Sequence, residues 1–226
     1  MNGDADPRAG LRRECVVAGA GIVGALTALK HLGSAIPSIA DHAATLAAAA
    51  QLYGPLWWSD RIKLSNAELG LARPNWMDVK WFLLFAALTV APFAIGHHFW
   101  QTLVLHRSLA PRLPAGLAME VAIQLLAVAL PEELFFRGYL QARLEKLWPP
   151  TKSLLGVPFG RAAITACALF AVVHFMGEYR PDRLAPFFPA LAFAWLRNKT
   201  GRITAPVAYH AFCNLLAGVL FACYAP

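Results

Sequence analysis

The stretch Ala129-Leu130-Pro131-Glu132-Glu133-Leu134-Phe135-Phe136-Arg137-Gly138-Tyr139 sets two adjacent glutamates and an arginine among apolar and aromatic neighbours. Apolar sequence continues on both sides, and the run from Leu117 to Leu144 is predicted to be helical. Successive helical residues turn by about 100°, so Glu132 and Glu133 point to different faces while Arg137 shares the face of Glu133. One carboxylate has a partner built in, and the other is left free. On a soluble helix this is an ordinary surface ion pair of little consequence. Within a bilayer ionisable groups are costly, and the same trio marks a functional site.

Composition decides between those settings. Hydrophobic residues make up 58% of the 226 residues and charged residues 15%, with mean hydropathy +0.49, far more apolar than a soluble domain requires. The expected fold is all-α, a polytopic transmembrane helical bundle of about seven spans. Net charge is +7, but the cations fall between apolar runs, as loop charges set by membrane insertion do, and no nucleic-acid partner is expected. Cys15, Cys167, Cys213 and Cys223 show no CxxC spacing, which indicates neither a disulfide framework nor a cysteine zinc site.

In chain order, a polar stretch over residues 1–14 with Arg8, Arg12 and Arg13 precedes an apolar segment from Cys15 to Leu32. Its Gly19-Ala20-Gly21-Ile22-Val23-Gly24 matches G-x-G-x-x-G, and Asp41 stands about where a dinucleotide-binding domain has its acid. The alternating strands of such a domain do not follow, and small residues four apart equally describe a transmembrane packing face. Arg12-Arg13, the short apolar core and Gly33-Ser34-Ala35 also fit the outline of a cleavable signal peptide, an alternative to a retained span. The further segments are Pro37–Trp58, with Trp57 and Trp58 as an interfacial belt, and Trp81–Leu105, interrupted by Pro92 and Gly96-His97-His98. Then come Leu117 to about Trp148, Ala162–Met176, a short Leu184–Leu196 broken by Pro186 and Pro189, and Ile203–Tyr224. Polar loops are expected at 59–80 and 106–116, and a basic one at 197–202. The division is 1–116, N-terminal helices and loops, and 117–226, a core, within one membrane unit.

With the N-terminus inside, fourteen of the twenty Lys and Arg lie inside, five outside and Arg137 within the membrane, a positive-inside bias. On that map Glu132 lies thirteen residues from Glu145, and His174 thirteen from Arg161, each roughly 20 Å deep. His210 and Asn214 lie roughly 12 and 18 Å from Arg202 and share a helix face. Four polar groups therefore reach similar depth on three helices.

At these residues a family resemblance appears. Glu132-Glu133-Leu134-Phe135-Phe136-Arg137 resembles the EExxxR motif, Phe170-Ala171-Val172-Val173-His174 the FxxxH motif, and His210-Ala211-Phe212-Cys213-Asn214 the HxxxN motif of the type II CAAX prenyl endopeptidases, also called CPBP or ABI intramembrane proteases. Asn66 to Pro74 is similar to a short loop often found before that core. The resemblance implies a glutamic intramembrane protease, a bacterial cell-membrane location with a cytoplasmic N-terminus, and a membrane-embedded or lipid-anchored protein substrate. It further implies Glu132 and His174 as the water-activating pair, His210 and Asn214 as oxyanion stabilisers, and Glu133 with Arg137 as a supporting structural pair.

The chemistry agrees, since peptide hydrolysis needs a base for water and donors for a tetrahedral oxyanion. No cofactor is expected, and the competing assignment makes Glu132, His174 and His210 a His₂Glu zinc site. Two other classes stand beside the protease: a transporter with a Glu/His proton relay, and a catalytically silent scaffold or immunity-type protein. The terminal Cys223-Tyr224-Ala225-Pro226 faintly resembles a CaaX box, with Tyr and Pro poor fits.

Overall fold

The structure, a computed structural model, describes residues 7–225. The first six residues, part of the polar N-terminal stretch, and Pro226, the last position of the CaaX-like tail, lie outside the described residues. Helix accounts for 77% of the structure, and the strands are two-residue pieces, so the fold is all-α. In chain order the helices are α1 (Pro7–Ala35), α2 (Pro37–Arg61), α3 (Trp76–Phe99, continued by a π turn Trp100–Val104), α4 (residues 117–147), α5 (Arg161–Glu178), α6 (Phe187–Thr200) and α7 (Thr204–Ala222). Four helical stretches, Arg8–Ala35, Trp76–Val104, Arg161–Glu178 and Thr204–Ala222, are long and apolar enough to cross a membrane. The expected seven spans go beyond these four, because α4 carries its charges in mid-helix and α6 has only 14 residues.

Several expected boundaries need correction. Helix α1 begins at Pro7 rather than Cys15, because proline suits the first helical turn and the arginines after it do not break a helix. The G-x-G-x-x-G match lies in the middle of α1, so the strand-turn-helix that a dinucleotide fingerprint needs is absent there. Helix α3 begins at Trp76, inside the expected polar loop. The Asn75 side chain accepts from the Met77 amide at 2.9 Å and Asp78 from the Asn75 amide at 2.8 Å, a reciprocal cap strong enough to start the helix. Pro92 and Gly96-His97-His98 do not interrupt α3. The expected basic loop at 197–202 is helical through Thr200, and Gly201, at φ +70, ends α6 in the left-handed conformation.

Helix α4 is the axis of the bundle, and it is not a plain α-helix. A π segment, Gln124–Ala129, precedes Leu130–Glu133, and a second, Leu134–Gln141, follows it. Leu130 bonds back five residues to the Leu125 carbonyl. Pro131 has no N–H, and its ring crowds the preceding turn, so a widened turn just before it lets the helix continue. Every residue from Glu133 to Gln141 is then buried. Around α4 pack Ala162, Ala163 and Ala166 of α5 and Ala190 and Ala194 of α6, all fully or nearly fully buried. Such small side chains let helices approach closely where lipid offers no hydrophobic drive. Helix α1 joins the same core through Cys15 and Ile22. Glu14 holds it to α4, accepting from Arg143 through both carboxylate oxygens at 2.8 and 2.6 Å and from the Tyr139 hydroxyl at 2.8 Å.

The loop between α2 and α3 is stapled to this core. The Gly70 carbonyl accepts from the Ile203 amide at 3.1 Å and the Glu68 carbonyl from Arg197 at 2.9 Å. The Glu68 carboxylate pairs with Lys146, and that bond, followed by those from Ser65, holds its carboxyl down at about 2. Leu69, 2% exposed, presses its carbonyl against Gly138. A Cβ at Gly138 would lie 2.7 Å from that oxygen.

Two measurements check this architecture. Reporter fusions after Lys152 and after Arg183, on either side of the 18-residue α5, should report opposite faces of the membrane, and a shared location would overturn the path of α5. Gly138→Ala should lower the thermal stability of the purified protein by about 1 to 3 kcal/mol, the usual cost of overpacking, since backbone rather than a yielding side chain must move. An unchanged melting temperature would mean that the loop does not dock there.

Candidate active site

Glu133 and Arg137 form the expected pair, and the structure draws a third group into it. Arg137 Nη1 donates to Glu133 Oε1 at 3.0 Å, with both side chains at 0% exposure. His210 Nδ1 lies 2.9 Å from the same oxygen. A carboxylate oxygen has only lone pairs to offer, so Nδ1 carries the hydrogen and donates. The guanidinium is sandwiched by rings, its carbon 4.4 Å from the Phe170 centroid and 5.1 Å from that of Phe193. The His210 ring stacks on Phe193 at 4.8 Å and 16°. Three helices, α4, α6 and α7, thereby fix one imidazole in position and tautomer.

Its other nitrogen faces the second glutamate. His210 Nε2 is 3.7 Å from Glu132 Oε2, close enough for charge attraction and too long for a hydrogen bond. Glu132 Oε2 is buried and has no hydrogen-bond partner among the described residues. A buried carboxylate oxygen with unused acceptor capacity is what a general base requires.

His174 and Asn214 are placed less directly. His174 Nδ1 donates to the Phe170 carbonyl at 2.8 Å, which leaves Nε2 of the neutral ring as an acceptor. Its ring lies 4.4 Å from Phe170, the residue that also meets His210 at 5.8 Å, so Phe170 links the two imidazoles. His174 makes no hydrogen bond to Glu132 among the described residues. Asn214, one turn beyond His210 on α7, donates through Nδ2 to Gln124 Oε1 at 2.8 Å. Gln124 in turn donates to Glu120 Oε1 at 2.9 Å. Because Glu120 can only accept when ionised, it sets the Gln124 amide and so the Asn214 amide. Among the described residues no three His, Cys, Asp or Glu side chains are grouped so as to hold a metal ion, and the Glu132, His174 and His210 set does not gather into one.

The sequence reading missed Gln124 and Phe193. Gln124 sits eight residues before Glu132 as a lone amide in an apolar run, and that isolation is its signal in the sequence; Phe193 is one of fourteen phenylalanines and carries none. Two grooves, of about 710 and 820 Å³, run beside α1 and are lined by none of the four site residues. The chemistry therefore stands on contact geometry within the core.

Glu133→Gln should lower thermal stability in detergent by about 3 to 5 kcal/mol, because it strands both Arg137 and His210 Nδ1 in a buried setting. Glu132→Gln leaves that cluster intact and should cost far less. Equal melting temperatures for the two variants would refute the distinction.

Residues 114–216 match the family model described as Type II CAAX prenyl endopeptidase Rce1-like. No curated protein and no solved structure matches the chain. The matched segment, a little under half of the chain, takes in α4, α5, α6 and most of α7, and with them the paired glutamates, Arg137, both histidines and Asn214; over residues 114–216 the chain is similar to the Rce1-like type II CAAX prenyl endopeptidases.

Proposed function

We propose that the protein is an intramembrane endopeptidase that hydrolyses a peptide bond near the terminus or membrane segment of a membrane-associated protein. The observation that carries this reading is the buried, unpartnered Glu132 Oε2 facing His210 Nε2 at 3.7 Å within the family-matched segment. Glu132 takes the proton of an attacking water, and the free Nε2 of His174 relays it toward the leaving amine. His210 and the remaining N–H of Asn214 stabilise the oxyanion, Asn214 being aimed by Gln124 and Glu120. Glu133 and Arg137 hold His210 in place and act through it. Residues 1–116 wall the 117–226 core in one membrane unit of seven spans, in the bacterial cell membrane with the N-terminus in the cytoplasm.

The zinc-dependent version, with Glu132, His174 and His210 as ligands, is less favoured because these side chains do not converge as a metal-holding group among the described residues, although both histidines keep Nε2 free. A silent scaffold would have no use for Glu132 Oε2 left without a hydrogen-bond partner.

Comparative proteomics of membrane-protein termini, in cells carrying the wild type or Glu132→Gln, tests the activity. Processing should be abolished in Glu132→Gln while the amount of folded protein is unchanged, and activity within a few-fold of wild type would eliminate Glu132 as base. Asn214→Ala, which removes an oxyanion donor, should cost about 100- to 1,000-fold in rate. One zinc per purified chain, lost together with activity on chelation and absent in His210→Ala, would replace the glutamate mechanism with the metal one.

A further inference from the structure

The G-x-G-x-x-G stretch of α1 has no role in the proposed site, and the structure shows what its small residues do. They floor a groove of about 820 Å³ bounded by α1, the end of α4 and α5, with Arg12 and Trp148 among its lining residues. At Gly19 a Cβ would meet Leu169 Cδ1 at 3.2 Å, so this glycine lets α5 approach. At Gly24 a Cβ would meet nothing within 4 Å. The small-residue face is therefore used for helix packing at one point and left open at the next.

The charge at this groove has one sign. No Asp or Glu lines it, and among the described residues Arg12 has neither an ion pair nor a hydrogen bond. Arg161 rests its guanidinium 5.0 Å over the Trp148 ring and likewise has no carboxylate partner among the described residues. Arg161 opens α5, where the helix dipole adds positive potential, and Arg12 lies in the second turn of α1. The carboxylate of Glu14, one helical position away from this face, is taken up by Arg143.

We propose that this groove binds an anionic phospholipid, with the phosphate at Arg12 beside the rim formed by Trp148, over which Arg161 rests, and one acyl chain along the face from Gly19 to Gly24. From Arg12 to Gly24 the helix rises roughly 18 Å. That matches the depth of one leaflet, about half of a 30 Å hydrocarbon core. Two cations without a compensating acid discriminate a net-negative headgroup from a zwitterionic one. Trp148 sits at the level where membrane tryptophans meet headgroups. A basic niche between helices, above an apolar trough, is the general form of an anionic-lipid site. The bound chain completes the packing of α1 against α5, and so ties the N-terminal helix to the core. This inference does not depend on the proteolytic reading, since no residue of the proposed active site lines the groove.

The test uses the full-length protein in nanodiscs and in detergent, with phosphatidylglycerol or phosphatidylcholine added, read by native mass spectrometry and thermal unfolding. Phosphatidylglycerol should be retained at about one molecule per chain and should raise the melting temperature saturably, whereas phosphatidylcholine should do neither. Arg12→Gln combined with Arg161→Gln should weaken phosphatidylglycerol retention on the order of 10- to 30-fold, with the melting temperature in phosphatidylcholine unchanged. Gly24→Leu, which enters open space, keeps both arginines and fills the trough; it should remove the tightly retained lipid. Equal retention of both lipids, or undiminished retention in both variants, would overturn the proposal. A stable dimer that excludes phosphatidylglycerol and is broken by Gly24→Leu would assign the groove to a second copy of the chain instead.

Discussion

A buried cluster of charge at the middle of α4 is the constraint to which the rest of the bundle answers. Glu133 and Arg137 are both fully buried, and one Glu133 oxygen accepts from Arg137 and from His210. Taking such groups out of water costs several kcal/mol for each ion unless partners and hydrogen bonds compensate. Compensation here is partial, since Glu133 Oε2 and Arg137 Nε have no hydrogen-bond partner among the described residues. Rings of Phe170 and Phe193 lie against the guanidinium, and the Ala190 carbonyl lies 3.5 Å from Arg137 Nη2. The alanines of α5 and α6 bring those groups close enough to act. An apolar substitute for the cluster would cost less to bury. The arrangement is one that fixes an imidazole rather than one that maximises stability.

Fixing that imidazole demands a rigid α4, and the surrounding sequence supplies rigidity in an unexpected place. The loop before α3 carries little regular structure, yet its backbone is bonded to Arg197 and Ile203 at the junction of α6 and α7. Its Leu69 carbonyl reaches α4 only because residue 138 lacks a side chain. Gly138 follows Arg137 directly, so loop docking and the charge cluster occupy adjacent turns of one helix. On the other face Glu14 clamps α1 to Tyr139 and Arg143. Three separate parts of the chain converge within ten residues of Glu133, which accounts for the burial of everything from Glu133 to Gln141.

What the sequence made legible follows from the range of the interactions involved. The Glu133–Arg137 pair is local, four residues apart on one helix, and is visible in spacing alone. The meeting of His210 with both glutamates joins residues 77 and 78 positions apart; matched membrane depth and motif resemblance bring His210 toward Glu132, and neither reveals its hydrogen bond to Glu133. The start of α3 was misread because Asp78 and Lys80 look like loop charges, although Asn75 and Asp78 have the spacing of a reciprocal cap. The two π segments leave no periodic signal, because Pro131 announces a disturbance without saying how the chain absorbs it. Gln124 matters only through Asn214 on another helix, and no local pattern carries that information.

The tautomer of His210 adds a constraint on chemistry that motif resemblance alone does not supply. Since Nδ1 donates to Glu133, Nε2 of the neutral ring offers a lone pair, and it becomes a donor only when the ring is an imidazolium. An oxyanion-stabilising His210 must therefore be doubly protonated, whereas a neutral His210 could only accept. Glu133 thereby does more than brace the helix, because its shared oxygen selects the tautomer and aims Nε2 at Glu132. His174 carries the opposite commitment: its Nδ1 donates to a neutral carbonyl, and its Nε2 is left to accept. On the proposed reading, a His210 that donates through Nε2 and a His174 that accepts through Nε2 would divide the labour that peptide hydrolysis by an activated water requires.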